Sequence, residues 1–212
     1  MKEYHTKGKR GIIYKNGNKI IKIANPQSKA KERIQNEGKY LKRLNKYNIG
    51  PKIYNATENE ITMEYIEGKQ IEEALERKNP IPLIKNILNQ CYILDTQRIN
   101  KLEMHKPTKH IIVKGNKATL IDFERCYETK KPKNVTQCIQ YFQKLEKRNK
   151  YNFTIEKKYL RKVLQEYKRN YDKEGFNKII KRIRFIRRKY NMKIKLSELI
   201  ARRREVKSTE KE

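Results

Sequence analysis

The sequence predicts an α+β chain of two lobes: an antiparallel β-sheet carrying one helix, then a compact and mostly helical half. Three observations carry this. Up to about residue 65, apolar residues come in short runs separated by turn signals such as Asn16-Gly17-Asn18 and Gly50-Pro51. One stretch of that half, from Ser28 to about Asn45, instead places Ile34, Glu37, Leu41 and Leu44 at helical spacing. Beyond Gly68 the spacing is helical, with a single hairpin as the exception.

In order along the chain, Gly8–Tyr14 and Lys19–Ala24 read as two strands, and Gly17 supplies the positive φ that a tight hairpin turn requires. Asn25-Pro26 ends the second strand, and Ser28 is placed to cap the helix. Lys52–Tyr54 and Glu60–Tyr65 form a further strand pair, so four strands of an expected five are visible. Ile71–Arg77 and Pro82–Thr96 are helical, the second with Leu83, Ile84, Ile87, Leu88, Cys91 and Leu94 on one side. A loop containing Pro107 leads to a hairpin of His110–Val113 and Ala118–Asp122 around Gly115-Asn116. Helices are expected over Val135–Lys147, Glu156–Arg169, Phe176–Lys189 and Lys195–Arg204. The expected division is an N-lobe over 1–67, a C-lobe over 68–205 and a flexible tail over 206–212, with Tyr65–Gly68 as hinge.

The chain has 212 residues, enough for a real core, with 36% hydrophobic and 37% charged residues. No run approaches the roughly 20 apolar residues of a membrane helix, and the start lacks the apolar core of a signal peptide. A soluble, cytoplasmic protein without membrane contact is expected. Cys91, Cys126 and Cys138 are scattered and form no CxxC pair, which points to core thiols rather than disulfides or zinc. The formal charge of +30 favours polyanionic partners. It is only moderately concentrated: residues 151–212 hold 21 Lys/Arg against 8 Asp/Glu, hence +13 over 62 residues.

Several residue types stand where phosphate and metal chemistry needs them. Lys22 lies inside an apolar strand, and Lys19, three residues away, points to the opposite face. Glu37 shares the buried side of its helix with Ile34 and Leu41, placed to pair with Lys22. Asp122 closes an apolar strand, where a carboxylate is costly unless something binds it, as Mg²⁺ does. Taken together, Gly8 and Gly11, Ile21-Lys22-Ile23, Asn36-Glu37, Gly50-Pro51, Met63–Gly68, Lys106–Val113 and Ile121-Asp122-Phe123-Glu124-Arg125 occur in a specific order. In that order the chain resembles the protein-kinase-like superfamily over roughly residues 8–145. It is most similar to small archaeal serine/threonine kinases, distant relatives of RIO kinases and of the small kinase of the tRNA-modifying KEOPS complex.

The resemblance implies ATP as cofactor, with Lys22 on its phosphates, Gly8 and Gly11 as a shortened phosphate-cradling loop, and Met63, Glu64 and Tyr65 along the adenine. It implies Asp122 and His110 as metal ligands, with Mg²⁺ and, because His110 stands where an oxygen ligand is usual, Mn²⁺ as a tolerated ion. The catalytic loop departs from the pattern: His105 falls where the base belongs, and Glu103 is the nearest carboxylate. His105 is therefore a rival base, and Lys106 a candidate neighbour of the γ-phosphate. Residues Arg125–Asn134 are too few for a long regulatory loop. The leading expectation is an atypical serine/threonine kinase acting on a protein substrate. The alternative is a nucleotide-binding pseudokinase whose basic C-lobe docks on RNA or a ribonucleoprotein, since Phe176–Tyr190 and Arg202–Arg204 interleave cations with Phe185. A small-molecule kinase ranks last, because the C-lobe offers few acidic residues for a cationic substrate.

Overall fold

The computed structural model describes residues 3–8, 11–25 and 30–188. Strands β1 (Glu3–Gly8), β2 (Gly11–Asn16) and β3 (Lys19–Ala24) lead into helix α1 (Ala30–Leu44), followed by β4 (Ile53–Ala56) and β5 (Glu60–Glu64). They form a five-stranded sheet in the order β1-β2-β3-β5-β4, every neighbouring pair antiparallel. The expected fifth strand is thus β1. Gly8 and Gly11 do not share one strand: they face each other as register partners at the β1–β2 connection. Gly17, at φ +57°, makes the β2–β3 turn as its Asn-Gly context requires. The Ser28 cap lies outside the described residues.

The C-terminal part begins with β6 (Lys69–Gln70), α2 (Ile71–Ala74) and α3 (Ile81–Thr96), then β7 (Ile99–Lys101) and a short 3₁₀ turn, Leu102–His105. Next come β8 (Ile111–Lys114), β9 (Lys117–Leu120), β10 (Cys126–Glu128) and α4 (Asn134–Glu146). The described chain closes with β11 (Phe153–Ile155), α5 (Leu160–Asn170), α6 (Lys173–Ile180) and β12 (Ile183–Phe185). β6, β8 and β9 make a small sheet, β7 pairs with β10, and β11 pairs with β12. The β8–β9 hairpin places the His110 and Asp122 ends of its strands side by side, with Ile121 N–H donating to the His110 carbonyl at 3.0 Å.

Two expectations are corrected. The helix expected over Phe176–Lys189 stops at Ile180, where Lys181 and Arg182 turn back on the Asn177 and Ile179 carbonyls. Ile183–Phe185 then pairs with Phe153–Ile155, whose backbone groups need a partner and whose β-branched and aromatic residues suit a strand. The helix expected from Glu156 starts at Leu160 for the same reason. Lys195–Arg204 and the tail over 206–212 lie outside the described residues.

One core runs through both parts, joining Leu41, Leu44 and Ile61 below the N-terminal sheet to Phe123, Ile87 and Phe142. Gly50 sits at the junction with φ +79°, and a Cβ there would stand 2.6 Å from Leu41 Cδ2 and 2.9 Å from the Phe123 ring. Only glycine fits. All three cysteines are buried and free, as their spacing implied. Among the described residues no helix is long and apolar enough to cross a membrane.

Candidate functional site

The site is assembled from one strand, one helix and two loops. On β3, Lys22 donates from Nζ to Glu37 Oε2 at 2.8 Å and stands 3.7 Å from Asp122 Oδ1. Lys19 points to the other face, as strand alternation requires, and its ammonium lies over the Tyr54 ring. Burial pulls the Lys22 ammonium towards deprotonation, but the charges of Glu37 and Asp122 outweigh it and hold its pKa above the usual lysine value. Lys22 is a fixed cation, and its side chain keeps 19% exposure, enough to meet a ligand.

Helix α1 presents Arg33, Asn36 and Glu37 at i, i+3 and i+4, all to the segment after β9. Glu37 is 1% exposed, and its second oxygen accepts the Phe123 N–H at 3.1 Å. Asn36 Nδ2 donates to the Glu124 and Cys126 carbonyls at 3.0 and 2.9 Å, and Arg33 pairs with Glu124 at 3.0 Å. The helix thereby fixes the backbone on which Asp122 stands.

The strand expected to end at Asp122 ends at Leu120. Asp122 takes φ +64°, a left-handed conformation that Asp tolerates better than most residues but that still costs energy. That twist sends the carboxylate back towards Lys22 and His110, with Oδ2 at 3.5 Å from His110 Nδ1. His110 Nδ1 is buried and makes no hydrogen bond. Burial first, and then the charge of Lys101, hold the His110 pKa below its usual value, against the pull of Asp122, so at neutral pH the ring keeps a lone pair.

The catalytic-loop expectation meets a residue that the sequence reading passed over. Lys101 is wholly buried and donates from Nζ to Glu103 Oε2 at 3.1 Å and to the Asp122 carbonyl. In a chain with 54 Lys/Arg, one more lysine gave no signal. The only hint was its place in the short segment Ile99-Asn100-Lys101, which proves buried throughout. Glu103 is itself buried, and its other oxygen lies 3.7 Å from Arg125 Nε. His105 is exposed and turns Nδ1 to the Leu102 carbonyl at 2.8 Å, and Lys106 is also exposed.

The hinge residues lie apart from this cluster. Met63 is buried in the core. The N–H groups of Glu64 and Tyr65 donate to the Lys52 and Asn18 carbonyls, both at 2.8 Å. A cavity of about 490 Å³ follows the hinge past Tyr65, Gln90 and Thr119, and neither Lys22 nor Asp122 lines it.

Among the described residues no group of three or more His, Cys, Asp or Glu side chains forms a metal cage. The donors present nevertheless fit a divalent cation held jointly with a phosphate. Asp122 offers oxygen, and His110 offers a buried, unpartnered nitrogen facing it. Two protein donors are usual where phosphates and waters complete the shell, and a mixed oxygen and nitrogen set admits Mn²⁺ beside Mg²⁺.

No family model matches the sequence, and no curated protein matches it. Solved structures do. The chain is similar to the Rio2 kinase from Chaetomium thermophilum, with TM-score 0.51 and 13% identity over 66% of this chain and 56% of that one. It is similar to WbdD, solved with the kinase inhibitor LY294002, with TM-score 0.59 and 17% identity over 84% of this chain and 44% of that one. A complex of APH(2'')-IIa with streptomycin and ATP matches with TM-score 0.48 and 9% identity over 71% of this chain and 79% of that one, too distant to argue from. The chain spans about half the length of the first two. What is common at such identities is architecture: this is a protein-kinase-like fold, an N-terminal antiparallel sheet with one helix set on a mainly helical C-terminal part.

Proposed function

We propose that the chain is an ATP-dependent phosphotransferase of the atypical serine/threonine kinase kind, acting on a protein hydroxyl. The observation that carries this is the seat of Lys22, at 2.8 Å from Glu37 and 3.7 Å from Asp122, contributed by a strand, a helix and a loop distant in sequence. Phosphoryl transfer needs positioning and neutralised charge more than covalent help. In this reading Lys22 binds phosphate oxygens and Glu37 keeps it aimed. Asp122 and His110 hold the divalent ion, which supplies charge neutralisation on the phosphates when bound. Glu103 accepts the hydroxyl proton, with Lys101 and Arg125 balancing its charge. Gly8 and Gly11 close over the nucleotide, and Met63, Glu64 and Tyr65 border its base.

A second reading, a nucleotide-binding pseudokinase, is favoured by one feature: the Glu103 carboxylate is already engaged by Lys101 at 3.1 Å. Turnover of ATP with Mg²⁺ or Mn²⁺ by wild type, Asp122→Asn and Glu103→Gln separates the two. The kinase reading expects losses of about a thousandfold for Asp122→Asn and at least about a hundredfold for Glu103→Gln. Nucleotide-dependent thermal stabilisation without turnover in any of the three establishes the pseudokinase, and equal turnover in all three defeats both.

A further inference from the structure

The end of the described chain gathers cations that the phosphate site does not use. Residues 153–165 and 175–188 contain ten Lys/Arg and a single acidic residue, Glu156. The β11–β12 pairing brings these two stretches together, since Glu156 N–H donates to the Arg182 carbonyl at 2.9 Å. Arg182 then pins the following loop by donating to the Lys158 carbonyl at 2.6 Å. Glu156 is shared between Arg182 at 3.3 Å and Arg184 at 3.1 Å, and the neighbouring Glu174 is held by Lys178 at 2.8 Å, so both acids are engaged. Lys157, Lys158, Arg161, Lys181 and Arg184 remain exposed around Glu156.

Aromatic rings stand out among these charges. Tyr159 is 62% exposed and Phe185 44% exposed. Tyr159 holds φ +60°, a left-handed conformation unusual for an aromatic residue, with the Lys158 ammonium 5.3 Å from its ring centre. An acidic peptide would use the cations and leave the rings idle, and a duplex hides its base faces. A single strand uses both, phosphates on the lysines and arginines and bases on the rings.

We propose that this surface binds single-stranded nucleic acid. It shares no residue with Lys22, Glu37 or Asp122, so it stands or falls apart from the phosphotransferase reading, and Asp122→Asn binds as wild type does. The test is fluorescence anisotropy of the full chain with a labelled single-stranded RNA of about 15 nucleotides and with a duplex of equal length. Engagement of about four phosphates makes affinity fall about fiftyfold between 50 and 200 mM salt. Tyr159→Ala weakens binding about tenfold while Tyr159→Phe retains it, as expected if the ring stacks. Lys158→Glu weakens binding and flattens the salt slope, whereas Lys85→Glu, on exposed α3 surface, changes it less than about twofold. Tyr159→Gly separates loss of the ring from loss of the fold: glycine adopts φ +60° freely, so Tm rises while affinity drops as in the alanine variant. Three results overturn the proposal: no RNA binding at about 50 mM salt, equal binding of duplex with Tyr159→Ala silent, or displacement of RNA by polyglutamate as readily as by unlabelled RNA.

Discussion

Two lysines reach the Asp122 segment from opposite sides. Lys22 comes from the sheet, ion-paired to Glu37 and still 19% exposed. Lys101 comes from β7, ion-paired to Glu103 and wholly sealed. The pairs look alike on paper, a lysine with a glutamate at about 3 Å, yet exposure gives them different uses. The open lysine lies 3.7 Å from Asp122 and still meets solvent, so it can take a further partner. The sealed lysine has no room for a ligand and spends its donors on Glu103 and the Asp122 carbonyl. One pair is built to exchange partners and the other to hold a shape.

Stability measurements on single variants break or sharpen this contrast. Lys101→Met leaves the buried Glu103 with Arg125 alone, at 3.7 Å, and is expected to cost about 3–5 kcal/mol, whereas Lys22→Met costs about 1–3 kcal/mol because Glu37 keeps the Phe123 amide. Equal losses in urea unfolding would erase the distinction. Gly50→Ala comes next, at about 3 kcal/mol, because the new methyl meets Leu41 and the Phe123 ring at a left-handed φ. A normal Tm for that variant would mean that the Phe123 seat is soft.

The sealed side also predicts a pH dependence. Asp95 is buried and accepts from Asn134 N and Nδ2, Val135 N and Tyr167 Oη, and the Asn134 Oδ1 in turn accepts the Lys101 N–H. Burial outweighs these donors and pushes the Asp95 pKa from 3.8 up to about 6. Between those values the folded chain keeps a proton that the unfolded chain has released. Raising the pH through that window therefore removes stability, on the order of 2–3 kcal/mol by neutral pH. Asp95→Asn abolishes this slope while lowering stability at every pH, which unfolding at about pH 4.5 and 7.5 reads directly. The smallest effect is Asn36→Ala, about 1–2 kcal/mol, since the carbonyls of Glu124 and Cys126 lose one shared donor.

The contrast also explains what the sequence disclosed. Lys22 and Glu37 were legible because strand and helix periodicity alone put them on the correct faces, and Asp122 because a carboxylate after an apolar strand stands out. Lys101 was not, since its meaning depends on Glu103 and Asp122 across two loops, and no local pattern encodes that. β7, β10, β11 and β12 are each three residues long, too short for periodicity to register. The helix expected through Phe185 failed likewise, because Ile179, Ile180, Ile183 and Ile186 satisfy a helical stripe until the unpaired edge of β11 claims the segment. Tertiary hydrogen bonding outweighed local preference there.

The grip of α1 on the Asp122 segment has a dynamic consequence. With Arg33, Asn36 and Glu37 all bonded to residues 123–126, the helix cannot swing out without uncovering the Phe123 amide and the Glu124 and Cys126 carbonyls together. Sheet, helix and loop then open as one cooperative unit rather than as a hinged gate. In hydrogen exchange the Phe123 amide will share the protection of α1 in the unliganded chain. On the proposed reading, a site ordered before its ligand arrives leaves more of the binding free energy for affinity.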